Sequence, residues 1–174
     1  MSKTYRIIVA THKQFQMPED KDLYIPIQVG SEGKEDLGYQ PDNQGVHISH
    51  LNPYYCELTG LYWAWKNLEC DYLGLVHYRR YFTSKRHSYR EAISMDDIIL
   101  SKSEVKNLLS KYDVVVPKKR KYYIETLYSH YAHTHDANHL DVTRQIVSEL
   151  RPDYIEAFDQ VMKQRSGYMF NMFI

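Results

Sequence analysis

The segment His77-Tyr78-Arg79-Arg80 places anion-binding side chains directly after an apolar run at residues 72–76. A guanidinium group keeps its charge near neutral pH and offers a planar fork of donors that suits a diphosphate. An apolar run without alternation is typical of a strand buried on both faces of a parallel sheet, and ligands bind beyond the carboxyl ends of such strands. The segment therefore predicts an anion site, and the alternative is that its arginines only pair with surface carboxylates.

Basic side chains also follow two other predicted strands. His12 and Lys13 follow a strand over residues 5–11, and Lys118 and Arg120 follow a predicted buried strand over 112–117. A further short strand is predicted over 23–29. Since the carboxyl ends of parallel strands share one edge, these cations are expected to converge on one negatively charged ligand. At the end of the first strand, Thr11, His12 and Lys13 are expected to meet a nucleotide.

A helix is predicted from Asn52 to about Asn67, because Asn52 can cap it and Pro53 suits its first turn. Asn52, Tyr55, Glu57 and Thr59 are expected to border the same ligand pocket. Apolar side chains at helical spacing predict that one face of this helix packs in the core. The face consists of Tyr54, Leu58, Leu61, Tyr62 and Trp65. Cys56 is expected to be a buried thiol. Further helices are predicted over 94–110, 122–135, 138–150 and 152–163.

Four histidines occur close together, at positions 130, 133, 135 and 139, with Asp136 nearby. They raise a metal hypothesis, but no HExxH or cysteine pair accompanies them, so an active-site wall or a capping cluster is favoured. If the reaction requires a general base, His130, His133 and Asp136 are the candidates. The pair Asp20 and Asp22 is interpreted as a solvated loop pair.

Composition narrows the function classes. The numbers of basic and acidic residues are equal, 22 of each, so the formal net charge is zero. The protein therefore has no global electrostatic field that would attract nucleic acid or an anionic membrane. The 17 tyrosines favour sugar or nucleotide ligands. GxGxxG and Walker A motifs are absent, which argues against dinucleotide oxidoreductases and P-loop ATPases. Two cysteines and no long apolar segment predict a cytoplasmic protein whose membrane association is at most peripheral. The length predicts one domain over residues 1–174.

Five stretches, taken together and in order, resemble the DUF4422 domain of bacterial capsular and exopolysaccharide glycosyltransferases. They cover residues 9–13, 24–30, 52–67, 74–82 and 165–174. The resemblance implies a GT-A-like α/β fold, which is a Rossmann-like three-layer sandwich with a mostly parallel central sheet. It also implies a nucleotide-sugar donor, with a UDP-sugar favoured, a glycan or lipid-linked glycan acceptor, and a chain that continues past residue 174.

Many GT-A enzymes hold a metal on the donor diphosphate with an Asp-x-Asp motif after a middle strand. That place is occupied here by His77-Tyr78-Arg79-Arg80. We hypothesise that these cations, helped by Lys118 and Arg120, replace the metal in stabilising the departing diphosphate, so no metal ligands and no cofactor are predicted. Dependence on Mn²⁺ or Mg²⁺ stays open, as do two other functions, a non-catalytic sugar-binding module and a histidine-metal hydrolase.

Overall fold

The computed structural model describes residues 3–84 and 94–174. The chain divides into two compact units. The first contains residues 1–116 and 171–174, and the second contains residues 117–170. The assignment of residues 1–174 to a single domain stays a prediction.

A parallel sheet forms the centre of the first unit. Its strands are β1 (Tyr5–Thr11), β2 (Tyr24–Gln28), β3 (Gln40–Pro41) and β4 (Tyr72–His77), in the order β3-β2-β1-β4. All three pairings are parallel, so the four carboxyl ends share one edge. At that edge Ala10 is opposite His77 and Thr11 is opposite Gln28. The predicted α/β class and the strands over 5–11 and 23–29 are confirmed.

Three helices belong to the first unit: α1 (Asn52–Tyr55), α2 (Leu58–Asn67) and α3 (Lys102–Leu109). A single turn of 3-10 helix, Ser49–Leu51, precedes α1. Ser101 caps α3 by accepting from the Glu104 amide, while the Glu104 side chain accepts from Ser101. The predicted start of this helix at residue 94 was wrong, because residues 94–97 instead form a turn closed by Ser94 and Asp97.

Apolar side chains cover both faces of the sheet, as expected for parallel strands. Ile7 and Val9 of β1 pack with Val105 of α3 on one face. Ile8 and Ala10 pack with Trp63 and Ala64 of α2 on the other. The sheet therefore lies between two helical layers.

The helix predicted from Asn52 is interrupted, and its buried face was predicted wrongly. Cys56 divides it with a positive φ of 48° and is exposed, which corrects the expectation of a buried thiol. The buried residues of α2 are Thr59, Gly60, Trp63 and Ala64. A Cβ at Gly60 would lie 2.7 Å from Val29 Cγ1, so glycine at this position allows α2 to approach the strands this closely. The predicted core face is largely outside: Tyr54 is 83% exposed and Trp65 65%.

The predicted buried strand over residues 112–117 was also wrong, since Tyr112, Val114 and Val116 are exposed. Val115 exchanges two backbone hydrogen bonds with Ile174, at 2.8 and 2.9 Å. Phe173 exchanges two more with Leu75 of β4, at 2.8 and 3.2 Å. The last residues of the chain are thus part of the first unit.

The second unit contains β5 (Arg120–Lys121), α4 (Leu127–Thr134), α5 (Asn138–Leu150), α6 (Ile155–Met162) and β6 (Ser166–Gly167). β5 and β6 pair antiparallel, and the turn Pro152–Tyr154 precedes α6. The predicted helices over 138–150 and 152–163 are confirmed, while the one predicted over 122–135 begins five residues later, after the Thr126 cap. Over the described parts of the chain, no helix combines the length and hydrophobicity needed to cross a membrane.

Candidate ligand-binding cleft

A cleft of about 580 Å³ opens in the first unit at the carboxyl edge of the sheet. Its volume falls within the range of small-molecule sites, about 300–1,000 Å³. Seven residues predicted to bind a donor line it together: His12, Asn52, Glu57, His77, Tyr78, Arg79 and Arg80. Ala10, Val29, Lys34 and Cys56 complete the wall. The sequence argument thus located most of one continuous surface.

The two arginines are presented by a tight turn at the end of β4. The Arg80 amide donates to the His77 carbonyl at 2.8 Å, and the Tyr78 amide donates to Ala10 of β1 at 3.2 Å. Arg79 is exposed, with its guanidinium carbon 4.9 Å from the centre of the Tyr78 ring. Within residues 3–84 and 94–174, no carboxylate lies within ion-pair distance of Arg79. Over the described part of the chain, surface pairing of Arg79 with a carboxylate is therefore not observed.

Tyr78 forms the buried back of this turn, with 5% of its surface exposed. Its ring makes edge contacts with His12 and Phe15, whose centroids lie 5.3 and 5.2 Å away. The Tyr78 hydroxyl has no hydrogen-bond partner among the described residues. Leaving a buried hydroxyl unpaired costs about 1–3 kcal/mol, so a polar ligand atom that reached it would relieve this cost.

Among the described residues that line the cleft, Glu57 is the only one with a carboxylate. Its Oε1 accepts a 2.9 Å hydrogen bond from Asn171 Nδ2 and lies 3.9 Å from His77 Nε2. The Glu57 and His77 side chains are only 19% and 18% exposed. A carboxylate fixed in this way can accept hydrogen bonds from ligand hydroxyl groups, while the arginines of the turn after β4 offer donors to an anion.

The loops around the cleft are held by Asp42, which follows β3 and is completely buried. Its Oδ1 accepts from the amide and hydroxyl of Ser31 and from Ser49 Oγ, and its Oδ2 accepts from the Gly30 amide and Thr59 Oγ1. Burial raises the pKa of the Asp42 carboxyl, but these hydrogen bonds outweigh burial and leave the pKa below its ordinary value. One ionised group thus fastens three segments at the carboxyl edge.

The remaining donor-site candidates of the first unit lie outside the cleft wall. Thr11 is buried, and its hydroxyl donates to the Lys13 carbonyl at 2.6 Å. Thr59 is buried against Asp42, so both threonines position backbone. Lys13 is exposed, with Nζ 5.6 Å from the Tyr78 ring centre. Tyr55 lines a separate apolar groove along α2.

Lys118, Arg120 and the candidate bases belong to the second unit. Lys118 and Arg120 are exposed. Glu125 binds both His130 Nδ1, at 2.7 Å, and His133 Nδ1. The hydrogen bond from His133, followed by that from His130, lowers the pKa of the Glu125 carboxyl.

Asp136 lies at the start of α5, where its carboxylate accepts from the Asn138 amide at 2.9 Å. His130 and His135 line a pocket of about 490 Å³ within the second unit, together with Tyr122, Tyr131 and Tyr168. The interpretation of these residues as an active-site wall and their role as bases both stay predictions.

Four residues important to the cleft were not predicted as site residues: Lys34, Asp42, Cys56 and Asn171. Lys34 and Asp42 lie in the polar segment after β2, whose length and lack of a period were the only available signal. Asn171 has a φ of 52°, a conformation that asparagine tolerates better than most residues.

The comparisons with known proteins agree with this architecture. A family model described as "Domain of unknown function (DUF4422)" matches residues 6–174. A solved structure titled as the apo form of the bifunctional glycosyltransferase WbbM is similar to this chain, with 29% identity and a TM-score of 0.83. The match covers 98% of this chain and 33% of that one, so this chain spans about a third of its length. The expected GT-A-like fold is confirmed. No curated protein sequence matches the chain.

Proposed function

Because this chain belongs to the DUF4422 family, we propose that it is a glycosyltransferase domain whose cleft binds a nucleotide-diphosphate sugar and whose product is an extended glycan. The likeness to a bifunctional glycosyltransferase supports transfer of a sugar in general terms. The donor is a UDP-sugar, with galactose in its pyranose or furanose form as the leading candidate. The acceptor is a growing capsular, exopolysaccharide or lipopolysaccharide glycan, and the reaction takes place on the cytoplasmic side of the membrane.

The observation that carries this proposal is the cationic wall of the cleft at the carboxyl edge of a parallel sheet. Lys34, Arg79 and Arg80 line it beside His12 and His77. This position is where α/β sheets bind nucleotides, and fixed positive charge stabilises a departing diphosphate. In this mechanism the arginine turn neutralises the leaving group, while Glu57 and Asn52, which line the same cleft, bind hydroxyl groups of the sugar.

The first experiment uses Cys56, which is exposed in the cleft wall, as a reporter of donor binding. Alkylation of Cys56 is followed by mass spectrometry with and without a panel of UDP-sugars, and partly buried Cys70 serves as the internal reference. A bound donor is expected to slow alkylation at Cys56 and to leave Cys70 unchanged. Equal rates at Cys56 across the panel would contradict donor binding in this cleft.

A matched pair of arginine variants then tests the diphosphate contact. Arg79→Ala is expected to weaken donor binding about tenfold or more in calorimetric titration, since a charge-assisted hydrogen bond contributes about 1.5–3 kcal/mol. Arg151→Ala, which removes an exposed arginine of the second unit paired with Asp153, is the control. Unchanged affinity in Arg79→Ala would refute the role assigned to the arginine turn.

The alternative function is a module that binds a nucleotide sugar or glycan without reaction. A radiolabelled donor separates the two, because a transferase releases nucleotide diphosphate and a binding module retains intact donor. The same assay in the presence of a chelator tests the metal-independent mechanism. Strict dependence on Mn²⁺ would contradict it.

A further inference from the structure

Three side chains with metal-ligand chemistry meet on the loops beside the cleft. Glu32 follows β2, and His47 and His50 flank the start of the 3-10 turn Ser49–Leu51. One potential ligand atom from each lies within 4.8 Å of the others. Among residues 3–84 and 94–174, no other group of three histidine, cysteine or acidic side chains meets this condition. The four histidines of the second unit are therefore not the candidate metal ligands that the geometry selects.

The buried Asp42 holds both loops that carry these ligands. It accepts from the backbone and hydroxyl of Ser31, the residue before Glu32, and from Ser49, the residue before His50. The Glu32 amide in turn donates to Ser49 Oγ at 3.2 Å, which joins the two loops directly. A supporting network of this kind fixes ligand-bearing backbone before a metal arrives.

From this arrangement we propose that Glu32, His47 and His50 form a zinc-binding site. Two imidazoles and one carboxylate are a ligand set that Zn²⁺ favours, and a fourth position is left for water or a ligand oxygen. Imidazole is a poor ligand for Mg²⁺, which distinguishes this site from a magnesium-bound diphosphate. The proposal does not depend on the glycosyltransferase assignment.

Zinc binding requires a small local rearrangement. Ligand atoms at about 2.0–2.1 Å from a tetrahedral zinc are about 3.3 Å apart, so any separation that approaches the present upper bound of 4.8 Å must shorten. Glu32 and His50 are exposed and His47 is half-buried, which leaves their side chains room to move. His47 Nδ1 also accepts a long hydrogen bond of 3.4 Å from the Ser49 amide, which coordination through Nδ1 would replace and coordination through Nε2 would retain. These costs predict a site of moderate affinity with one zinc per chain.

The test is a titration of the full chain, freed of metal by a chelator, with Zn²⁺ in competition with a chromogenic chelator. Wild type is expected to bind one equivalent, and His47→Ala and His50→Ala are expected to lose it. His139→Ala removes an exposed histidine of the second unit and serves as the matched control, with one equivalent retained. Equal affinity and stoichiometry in wild type, His47→Ala and His50→Ala would overturn the proposal.

Two further measurements keep the result interpretable. Glu32→Gln changes an exposed side chain, so it is expected to weaken zinc binding about tenfold or more while leaving the urea midpoint of the metal-free protein unchanged. Substitution with Co²⁺ gives a spectrum whose intensity reports coordination number. Intense visible bands support a four- or five-coordinate site, and the weak bands of hexaaqua-like cobalt contradict it.

Discussion

Replacing Asp42 by asparagine removes the charge that fastens the loops of the cleft while keeping the size of the side chain. If the asparagine oxygen takes the place of Oδ1, it retains the three bonds from Ser31 and Ser49. Its NH₂ group then faces the Gly30 amide, which now donates to Oδ2 at 2.8 Å. Two donors oppose each other, and the buried Gly30 amide loses its only acceptor at this site.

The expected loss of stability follows from these bonds. An unsatisfied buried amide costs about 1–3 kcal/mol, and the retained bonds become neutral and weaker. We therefore expect a decrease of about 2–4 kcal/mol in the free energy of unfolding. With a urea m-value of about 2 kcal/mol/M, the midpoint should fall by about 1–2 M. Fluorescence of buried Trp63 reports the transition.

The pH dependence supplies a second, independent measurement. Since the pKa of Asp42 is lower in the folded state, its contribution is complete above the unfolded-state pKa of about 3.9 and is lost as pH falls through the folded-state pKa. Asparagine does not titrate, so the difference between wild type and Asp42→Asn should shrink as pH decreases from 5 to 3. Glu35→Gln, at an exposed position, is the control with an expected change below about 0.5 kcal/mol. A difference below 0.5 kcal/mol for Asp42→Asn, or one that is constant with pH, would refute the reasoning.

Three other predictions concern the cleft and the second unit. Gly30→Ala should lower the free energy of unfolding by more than Gly33→Ala does in urea denaturation. Both glycines have a positive φ, which costs alanine about 1–2 kcal/mol. Of these two positions, only Gly30 would place the new Cβ in overlap with Asn52. Equal losses would show that the overlap is relieved at no cost. Tyr78→Phe should raise the free energy of unfolding of the ligand-free protein by up to about 1 kcal/mol in urea denaturation and weaken donor binding in calorimetry, because it deletes the unpaired hydroxyl; a destabilised variant would contradict this reasoning. His130→Ala, His133→Ala and Asp136→Ala should each lower turnover more than donor affinity in steady-state assays, and unchanged turnover removes that residue from the candidate bases.

The strands and their shared carboxyl edge were predictable because their signals are local. The uninterrupted apolar runs of β1 and β4 require cover on both faces, and parallel strands necessarily bring their carboxyl ends together. His12 and the turn from His77 to Arg80 could therefore be assigned to one cleft from the sequence.

The errors arise where a tertiary contact decides between equally good local patterns. The face of α2 is chosen by how closely Gly60 allows the helix to approach Val29, and aromatic spacing alone favoured the opposite face. Residues 112–117 have the composition of a buried strand, but the Tyr112 amide donates back to Leu108 at the end of α3, and Val115 pairs with Ile174 instead of with a strand of the sheet. Asp42 could not be identified because its donors come from three segments that only the fold brings together.

The hydrogen bonds between Val115 and Ile174 also define how the second unit is connected. The chain leaves the first unit after residue 116 and returns at residue 171, so residues 117–170 form an insertion whose two attachment points lie side by side. For such an insertion the entropic cost of closing the loop grows only logarithmically with its length, by about 0.6 kcal/mol for each doubling. Changes in the length of residues 117–170 are therefore expected to cost the sheet little stability, so that the inserted unit can vary without loss of the carboxyl-edge cleft.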